Sequence, residues 1–181
     1  MLLNSTVCDF SKKAPNFNLS SFDKKFYSRD ELVGAKGFLI AFICNKCPYV
    51  NASVTNFVAD TQRLQPLGVQ TVAIMSNDYI SHQSDSSEKL NEFATRHNFG
   101  FPNLIDETQP VTKAYGAVCT PDFFGLNANL ELQYRGRLDY FAIGKNGNRI
   151  PELFEAMERI ANTGSGSEKQ ITSVGCSIKW K

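Results

Sequence analysis

The sequence has little of what would indicate a metal site, a nucleic-acid partner or a membrane span. It contains only two histidines, His82 and His97, and neither has ligand-like spacing to the other or to a cysteine pair. Its formal net charge of +1 gives no electrostatic reason to bind nucleic acid or anionic lipid. The longest apolar run, residues 38–44, has the length of a strand, whereas a membrane-spanning helix needs about 18 residues.

Signals for export are also missing. Residues 1–6 contain neither a basic segment nor a long apolar segment, so the sequence predicts a cytoplasmic protein without a signal peptide. The chain has 181 residues, of which 42% are hydrophobic and 20% charged, which is the composition of a globular domain with a sizeable core.

Cysteine is present, but in an odd number. An odd number argues against a closed framework of structural disulfides, and in a reducing compartment cysteines are expected to be reduced, catalytic or metal-bound. One pair is closely spaced, with two residues between its members, and no second pair accompanies it as a zinc ribbon would require. The sequence therefore predicts no metal site. The five cysteines are Cys8, Cys44, Cys47, Cys119 and Cys176.

Hydrophobic patterning predicts an α/β fold with a central mixed sheet flanked by helices. Strands are predicted at residues 38–43 and 69–75, with a helix over residues 48–64 between them. A β-hairpin is expected near the N-terminus, and Asn127-Ala128-Asn129 predicts a second hairpin late in the chain. Further helices are predicted at residues 88–97, 108–115 and 152–161. We divide the chain into a domain over residues 1–164 and a C-terminal tail over residues 165–181, which follows a flexible Gly/Ser-rich linker.

The cysteine pair falls between a predicted buried strand and the start of a predicted helix. The first turn of a helix has unpaired N–H groups and a positive dipole end, and both favour a thiolate. Lys46 adds a positive charge that is expected to lower a thiol pKa, and Pro48 suits the first helical turn. The Cys44-Asn45-Lys46-Cys47 segment is therefore predicted to be a redox-active dithiol rather than half of a zinc site or two buried, unreactive thiols.

Several motifs together resemble a known family. A strand, a CxxC segment and a helix, followed much later by Thr120-Pro121 before another strand, resemble the thioredoxin superfamily. The resemblance narrows to the redoxin, or AhpC/TSA, group usually described as peroxiredoxin-like. It implies a thioredoxin fold with an N-terminal hairpin extension, a cis Pro121 facing the dithiol, and a Thr120 backbone that pairs with substrate. The motifs include Ala14-Pro15-x-Phe17-x-Leu19, Cys44-Asn45-Lys46-Cys47-Pro48-Tyr49-Val50, Ser76-Asn77-Asp78, Cys119-Thr120-Pro121-Asp122-Phe123-Phe124 and Gly175-Cys176-Ser177-Ile178-Lys179-Trp180-Lys181.

Two enzymatic functions follow from this resemblance. In thiol–disulfide exchange, an exposed Cys44 attacks a substrate disulfide and Cys47 resolves the mixed disulfide. In thiol peroxidation, the peroxide pocket of a typical peroxiredoxin would need a proline and a threonine where this chain has Ile40 and Cys44, and its arginine position falls near Pro121. Arg135 and Arg137 are the candidate substitutes for that arginine. The sequence favours exchange, and a non-enzymatic, redox-sensing binding protein is the third reading.

Other residues are candidate auxiliaries of the dithiol. Cys119 is expected near it, either as a third redox thiol or as a small packed side chain. Cys176 could return as a resolving arm or simply help its tail cover a surface. Asp122 is a possible substitute for the buried carboxylate that many thioredoxins carry in the strand before the dithiol, where this chain has Phe38. The expected partners are an electron donor and protein or small-molecule disulfides, with hydroperoxides as the substrates of the peroxidase alternative. The expected cofactor is no more than the Cys44–Cys47 disulfide itself.

Overall fold

A computed structural model describes residues 1–139 and 149–181 of the chain. Its main sheet has seven strands in the order β3-β2-β6-β5-β4-β8-β9, and a second sheet has three in the order β1-β10-β7. The strands are β1 (Leu2–Asn4), β2 (Asn18–Ser21), β3 (Phe26–Ser28), β4 (Gly37–Phe42), β5 (Val69–Met75), β6 (Asn103–Ile105), β7 (Cys119–Thr120), β8 (Asp122–Asn127), β9 (Leu132–Gly136) and β10 (Val174–Ser177). The helices are α1 (Arg29–Leu32), α2 (Pro48–Leu64), α3 (Ser87–Arg96), α4 (Pro110–Tyr115) and α5 (Glu152–Thr163).

The seven-stranded sheet is mixed because both kinds of connection occur in it. Strands β4, β5 and β6 run parallel and are joined through helices, as parallel strands require. Strands β8 and β9 add an antiparallel hairpin beside β4, and β2 and β3 form the predicted N-terminal hairpin beside β6. The predicted fold class is confirmed.

Strand β4 is buried along its whole length, which explains its continuous apolar sequence. Its alternate side chains enter two cores. Leu39 and Ala41 join α2, α3 and α5 on one face, whereas Phe38 and Ile40 join α4 on the other. The sheet is therefore covered by helices on both faces, and its central strand ends at the dithiol.

The C-terminal tail is integrated into this fold. Strand β10 lies between β1 and β7, and Ile178 is buried in the core on the α4 side. The preceding Gly/Ser-rich segment packs on β9, where the Gly166 N–H donates a 3.2 Å hydrogen bond to Oε1 of Gln133. A Cβ at position 166 would overlap the Gln133 carbonyl oxygen, so glycine permits this close approach. The flexibility expected of this segment stays a prediction. The domain boundary at residue 164 stays a prediction.

Candidate active site

The CxxC segment bridges the end of β4 and the start of α2. Cys47 is the N-cap residue of α2, and Pro48 occupies the first turn, where its missing N–H leaves no helical bond unmade. The segment is braced from within by Asn51, whose Nδ2 donates to the carbonyl oxygens of Asn45 at 2.8 Å and Cys47 at 2.9 Å. From outside, Asn45 Nδ2 donates a 2.8 Å bond to the Ser84 carbonyl oxygen. The loop that carries both cysteines is thus fixed by hydrogen bonds with α2 and with Ser84.

The Thr120–Pro121 peptide bond is cis and faces the dithiol, as the family resemblance implied. The Thr120 carbonyl oxygen accepts a 2.9 Å hydrogen bond from the Cys47 thiol. The Thr120 hydroxyl lies 3.5 Å from the Cys44 sulfur. Thr120 therefore contacts both cysteines, although it lies far from them in the sequence.

The two thiols differ strongly in acidity, and their mutual hydrogen bond is the main cause. The Cys44 thiol donates to the Cys47 sulfur, which stabilises a Cys47 thiolate and holds the proton on Cys44. The backbone N–H groups of Val50, in the first turn of α2, and of Cys176 add to this, and the pKa of Cys47 is lowered to about 4. Burial opposes ionisation of Cys47, and so does the hydrogen bond that its thiol donates to the Thr120 carbonyl oxygen. The Thr120 hydroxyl acts in the other direction and favours the thiolate.

For Cys44 the same hydrogen bond raises the pKa, and two further causes act in the same direction. Burial disfavours the charged form, and the carboxylate of Asp85 repels it. Asp85 is itself buried, with Oδ2 accepting a 2.9 Å hydrogen bond from Asn77. Sequence reasoning missed Asp85, whose only signal in the sequence is that it lies in a polar stretch at residues 77–87.

The prediction that Cys44 is exposed is wrong. Cys44 is 4% exposed and Cys47 is 2% exposed. Lys46 is exposed, and hydrogen bonds to the sulfur account for the acidity of Cys47 without it. A Cys47 thiolate, rather than a Cys44 thiolate, is the nucleophile that this electrostatic arrangement favours.

The remaining predicted site residues divide into two groups. Cys176 is half-buried, and its thiol hydrogen-bonds to Cys47. Cys119 is fully buried, and its thiol donates a 3.6 Å bond to the Pro121 carbonyl oxygen. Desolvation raises the pKa of Cys119 to about 12, which suits a packed side chain.

Asp122 forms a buried ion pair with Arg135, at 3.1 Å between Oδ2 and Nη2. Burial raises the pKa of Asp122 to about 6, against the opposing effect of Arg135. The thiol on which this pair acts electrostatically is Cys119. The buried carboxylate that acts on Cys44 is that of Asp85. That Asp122 substitutes for the buried carboxylate of many thioredoxins stays a prediction.

Neither arginine proposed for a peroxide pocket is free to move there without losing partners. Arg135 also donates to the Gly116 carbonyl oxygen at 2.6 Å, and Arg137 forms an ion pair with Glu152 at 2.6 Å.

Within residues 1–139 and 149–181, no group of three or more His, Cys, Asp or Glu side chains is arranged to hold a metal ion. In the same residues, no helix has the length and apolar character needed to cross a membrane.

The mixed sheet, the dithiol at a helix N-terminus and the opposing cis-proline define a thioredoxin-fold protein. Residues 10–147 match the AhpC/TSA family, and the chain belongs to that family. No curated protein sequence matches the chain. The predicted family is thus confirmed, and membership supports a redox enzyme in general.

Two solved structures resemble the chain over nearly its whole length. An uncharacterized conserved protein from Geobacillus kaustophilus is 35% identical, with a TM-score of 0.94 over 100% of this chain and 97% of its own. A hypothetical protein from Sinorhizobium meliloti is 30% identical, with a TM-score of 0.93 over 98% of each chain.

More distant structures share only the fold. Peroxidoxin BcpB from Mycobacterium tuberculosis is 14% identical, with a TM-score of 0.57 over 70% of this chain and 83% of its own. Thiol–disulfide oxidoreductases match at a comparable level. The fold is therefore common to both kinds of reaction and does not choose between them.

Proposed function

We propose that the protein is a thiol–disulfide oxidoreductase that uses Cys44 and Cys47 as a redox-active dithiol. The observation that carries this proposal is the pair of hydrogen-bonded sulfurs at the N-terminus of α2, one of them strongly acidic. A thiolate and a neighbouring thiol are the two groups that disulfide exchange requires.

In the proposed reaction Cys47 attacks and Cys44 resolves, the reverse of the order expected from the sequence. The Cys47 thiolate attacks one sulfur of a substrate disulfide, and the other substrate sulfur leaves as a thiolate. Cys44 then loses its proton and attacks Cys47, which forms the Cys44–Cys47 disulfide and releases the reduced substrate. Two electrons pass to the substrate, and a dithiol donor returns the protein to its reduced form.

A groove beside Pro121 supports a peptide-sized substrate. It has a volume of about 400 Å³ and is lined in part by Tyr49, Ser53, Leu138 and Val174. The mixed apolar and polar lining suits an extended peptide that carries a disulfide. We therefore propose protein disulfides as substrates, with Pro121 in the wall of the groove.

Insulin reduction with dithiothreitol as the electron donor tests this proposal. The wild type and the Cys8→Ser control are expected to accelerate reduction, whereas Cys47→Ser and Cys44→Ser lose turnover. Equal rates for Cys47→Ser and the wild type would contradict it. A Cys44–Cys47 disulfide that forms and reopens without turnover would favour the redox-sensing binding protein instead.

Hydroperoxide reduction is the second candidate, because an acidic Cys47 is also what that reaction needs. The thiolate would attack a peroxide oxygen, the O–O bond would break with release of an alcohol, and Cys44 would attack the resulting sulfenic acid and release water. Against it stand Ile40 and Cys44 at the pocket positions, and an Arg135 engaged by Asp122. A rate of Cys47 oxidation by hydrogen peroxide close to that of a free thiol supports exchange; a rate orders of magnitude higher supports peroxidation.

A further inference from the structure

The C-terminal strand passes directly over the dithiol. Strand β10 is hydrogen-bonded to β7, with Cys176 opposite Thr120 and Ser177 opposite Cys119. On its other side it pairs with β1, where Cys176 lies opposite Leu2. Since Thr120 contacts both Cys44 and Cys47, this register brings Cys176 to the same point of the fold.

Cys176 contacts the sulfur of Cys47, the more acidic of the two dithiol sulfurs. Its backbone N–H interacts with the Cys47 sulfur, and its thiol forms a hydrogen bond with that sulfur. Cys176 is half-buried, whereas Cys47 and Cys44 are buried. It is thus the most accessible of the three thiols.

Hydrogen bonds beyond the strand hold it in this position. The Lys179 backbone N–H donates to Oδ1 of Asn77 at 2.9 Å, and its carbonyl oxygen accepts from the Asp78 N–H at 2.8 Å. Gln109 bonds both the Lys179 carbonyl oxygen, at 2.8 Å, and the Lys181 N–H, at 2.9 Å. Cys176 is therefore held beside the dithiol by the residues that follow it in the chain.

We propose that Cys176 is a third redox thiol. It exchanges with the Cys44–Cys47 disulfide to form a Cys47–Cys176 disulfide, which an external dithiol can reach. This inference rests on the proposed function, since it requires the Cys44–Cys47 disulfide to form. It adds the route by which electrons reach two buried sulfurs.

The exchange balances without an added oxidant. The Cys176 thiol loses its proton and attacks the Cys47 sulfur; the Cys44–Cys47 bond breaks, and Cys44 leaves with the electron pair and takes up a proton. An external dithiol then attacks Cys176, and Cys47 leaves as a thiolate. The second thiol of the donor closes the donor's own disulfide and frees Cys176, so that two electrons have entered the protein.

The acidities favour the step in which the external dithiol attacks Cys176. Cys47 is the most acidic thiol and hence a good leaving group when Cys176 is attacked. Desolvation and the hydrogen bond with Cys47 raise the pKa of Cys176 in the reduced protein. The second of these causes disappears once Cys47 carries no charge, so Cys176 ionises more readily in the oxidised protein.

Disulfide mapping by mass spectrometry of the full-length Cys44→Ser variant tests the proposal. After oxidation with diamide, acid quenching and alkylation, a Cys47–Cys176 disulfide is expected in most molecules. The matched control is Cys44→Ser combined with Cys8→Ser, which retains Cys176 and should give the same disulfide. Finding Cys176 alkylated as a free thiol in both variants would overturn the proposal.

Reduction kinetics provide a second readout. Oxidised Cys176→Ser is expected to be reduced by dithiothreitol at least about tenfold more slowly than oxidised wild type, because the donor must reach a buried disulfide. Equal rates, with an intact Cys44–Cys47 disulfide and normal insulin reduction, would overturn only the role of Cys176. Failure of the wild type to form the Cys44–Cys47 disulfide would overturn the proposed function itself.

Discussion

Gly175 lies where strand β10 passes closest to the Thr120–Pro121 peptide. A Cβ at this position would overlap the Thr120 carbonyl oxygen and lie 2.6 Å from the carbonyl carbon. Neither atom can rotate away, because both belong to the backbone beside the dithiol. In the Gly175→Ala variant, strand β10 must therefore move away from β7.

The expected cost follows from two opposing effects. Overpacking a close contact costs about 1–3 kcal/mol. Replacing glycine by alanine reduces the entropy of the unfolded chain and returns about 0.4–1 kcal/mol. We expect the free energy of unfolding, measured by urea denaturation of the reduced protein, to fall by about 1 kcal/mol.

A matched glycine provides the control. A Cβ at Gly100 would have no neighbour within 4 Å, so Gly100→Ala should be neutral or stabilising by up to about 1 kcal/mol. Displacing β10 should also speed alkylation of Cys44 and Cys47, which are buried in the wild type. If Gly175→Ala proves as stable as Gly100→Ala and its thiols remain equally protected, the close packing of the tail on the dithiol is refuted.

Three further predictions concern charge. The pKa of Cys47 lies below its ordinary value of 9.0, so the Cys47 thiolate stabilises the folded, reduced protein above pH 9.0, and this contribution is lost as the pH falls through the folded-state pKa. Urea unfolding at a series of pH values should show this loss in the wild type and not in Cys47→Ser. Asp85→Asn removes a carboxylate that repels a Cys44 thiolate, so the pKa of Cys44 should fall, and an unchanged Cys44 Cβ titration by NMR would refute that contact. Arg135→Leu leaves the Asp122 carboxyl buried without its partner and should lower the free energy of unfolding by about 3–5 kcal/mol, with a smaller loss in acid, where Asp122 is neutral.

Elements with a strong local pattern could be predicted closely from the sequence. The predicted helix over residues 48–64 and strand over residues 69–75 coincide with α2 and β5. In α2, apolar residues recur at helical spacing after a proline that suits the first turn, while β5 is a buried, β-branched run. These signals lie within each segment, so they can be recognised without knowing which other segments α2 and β5 pack against.

Pairings between distant segments could not be predicted in the same way. Strands β1 and β10 are three and four residues long, and their exposed and half-buried residues leave only a weak alternation. They pair across almost the whole length of the chain. The acidity of Cys47 depends partly on this pairing, since one N–H that interacts with its sulfur belongs to Cys176. The sequence therefore predicts Cys44 as the attacking sulfur, whereas we propose Cys47 from the contacts that the fold brings to it.

Trapping of the mixed disulfide tests the central claim most directly. The Cys44→Ser and Cys47→Ser variants are each combined with Cys176→Ser, so that Cys176 cannot resolve a trapped mixed disulfide. Each protein is reduced, mixed with insulin, quenched in acid and analysed by mass spectrometry for insulin chains linked to cysteine. With Cys47 as the nucleophile, Cys44→Ser should accumulate insulin bound to Cys47, and Cys47→Ser should accumulate none. Accumulation at Cys44 in Cys47→Ser, with none in Cys44→Ser, would contradict this assignment.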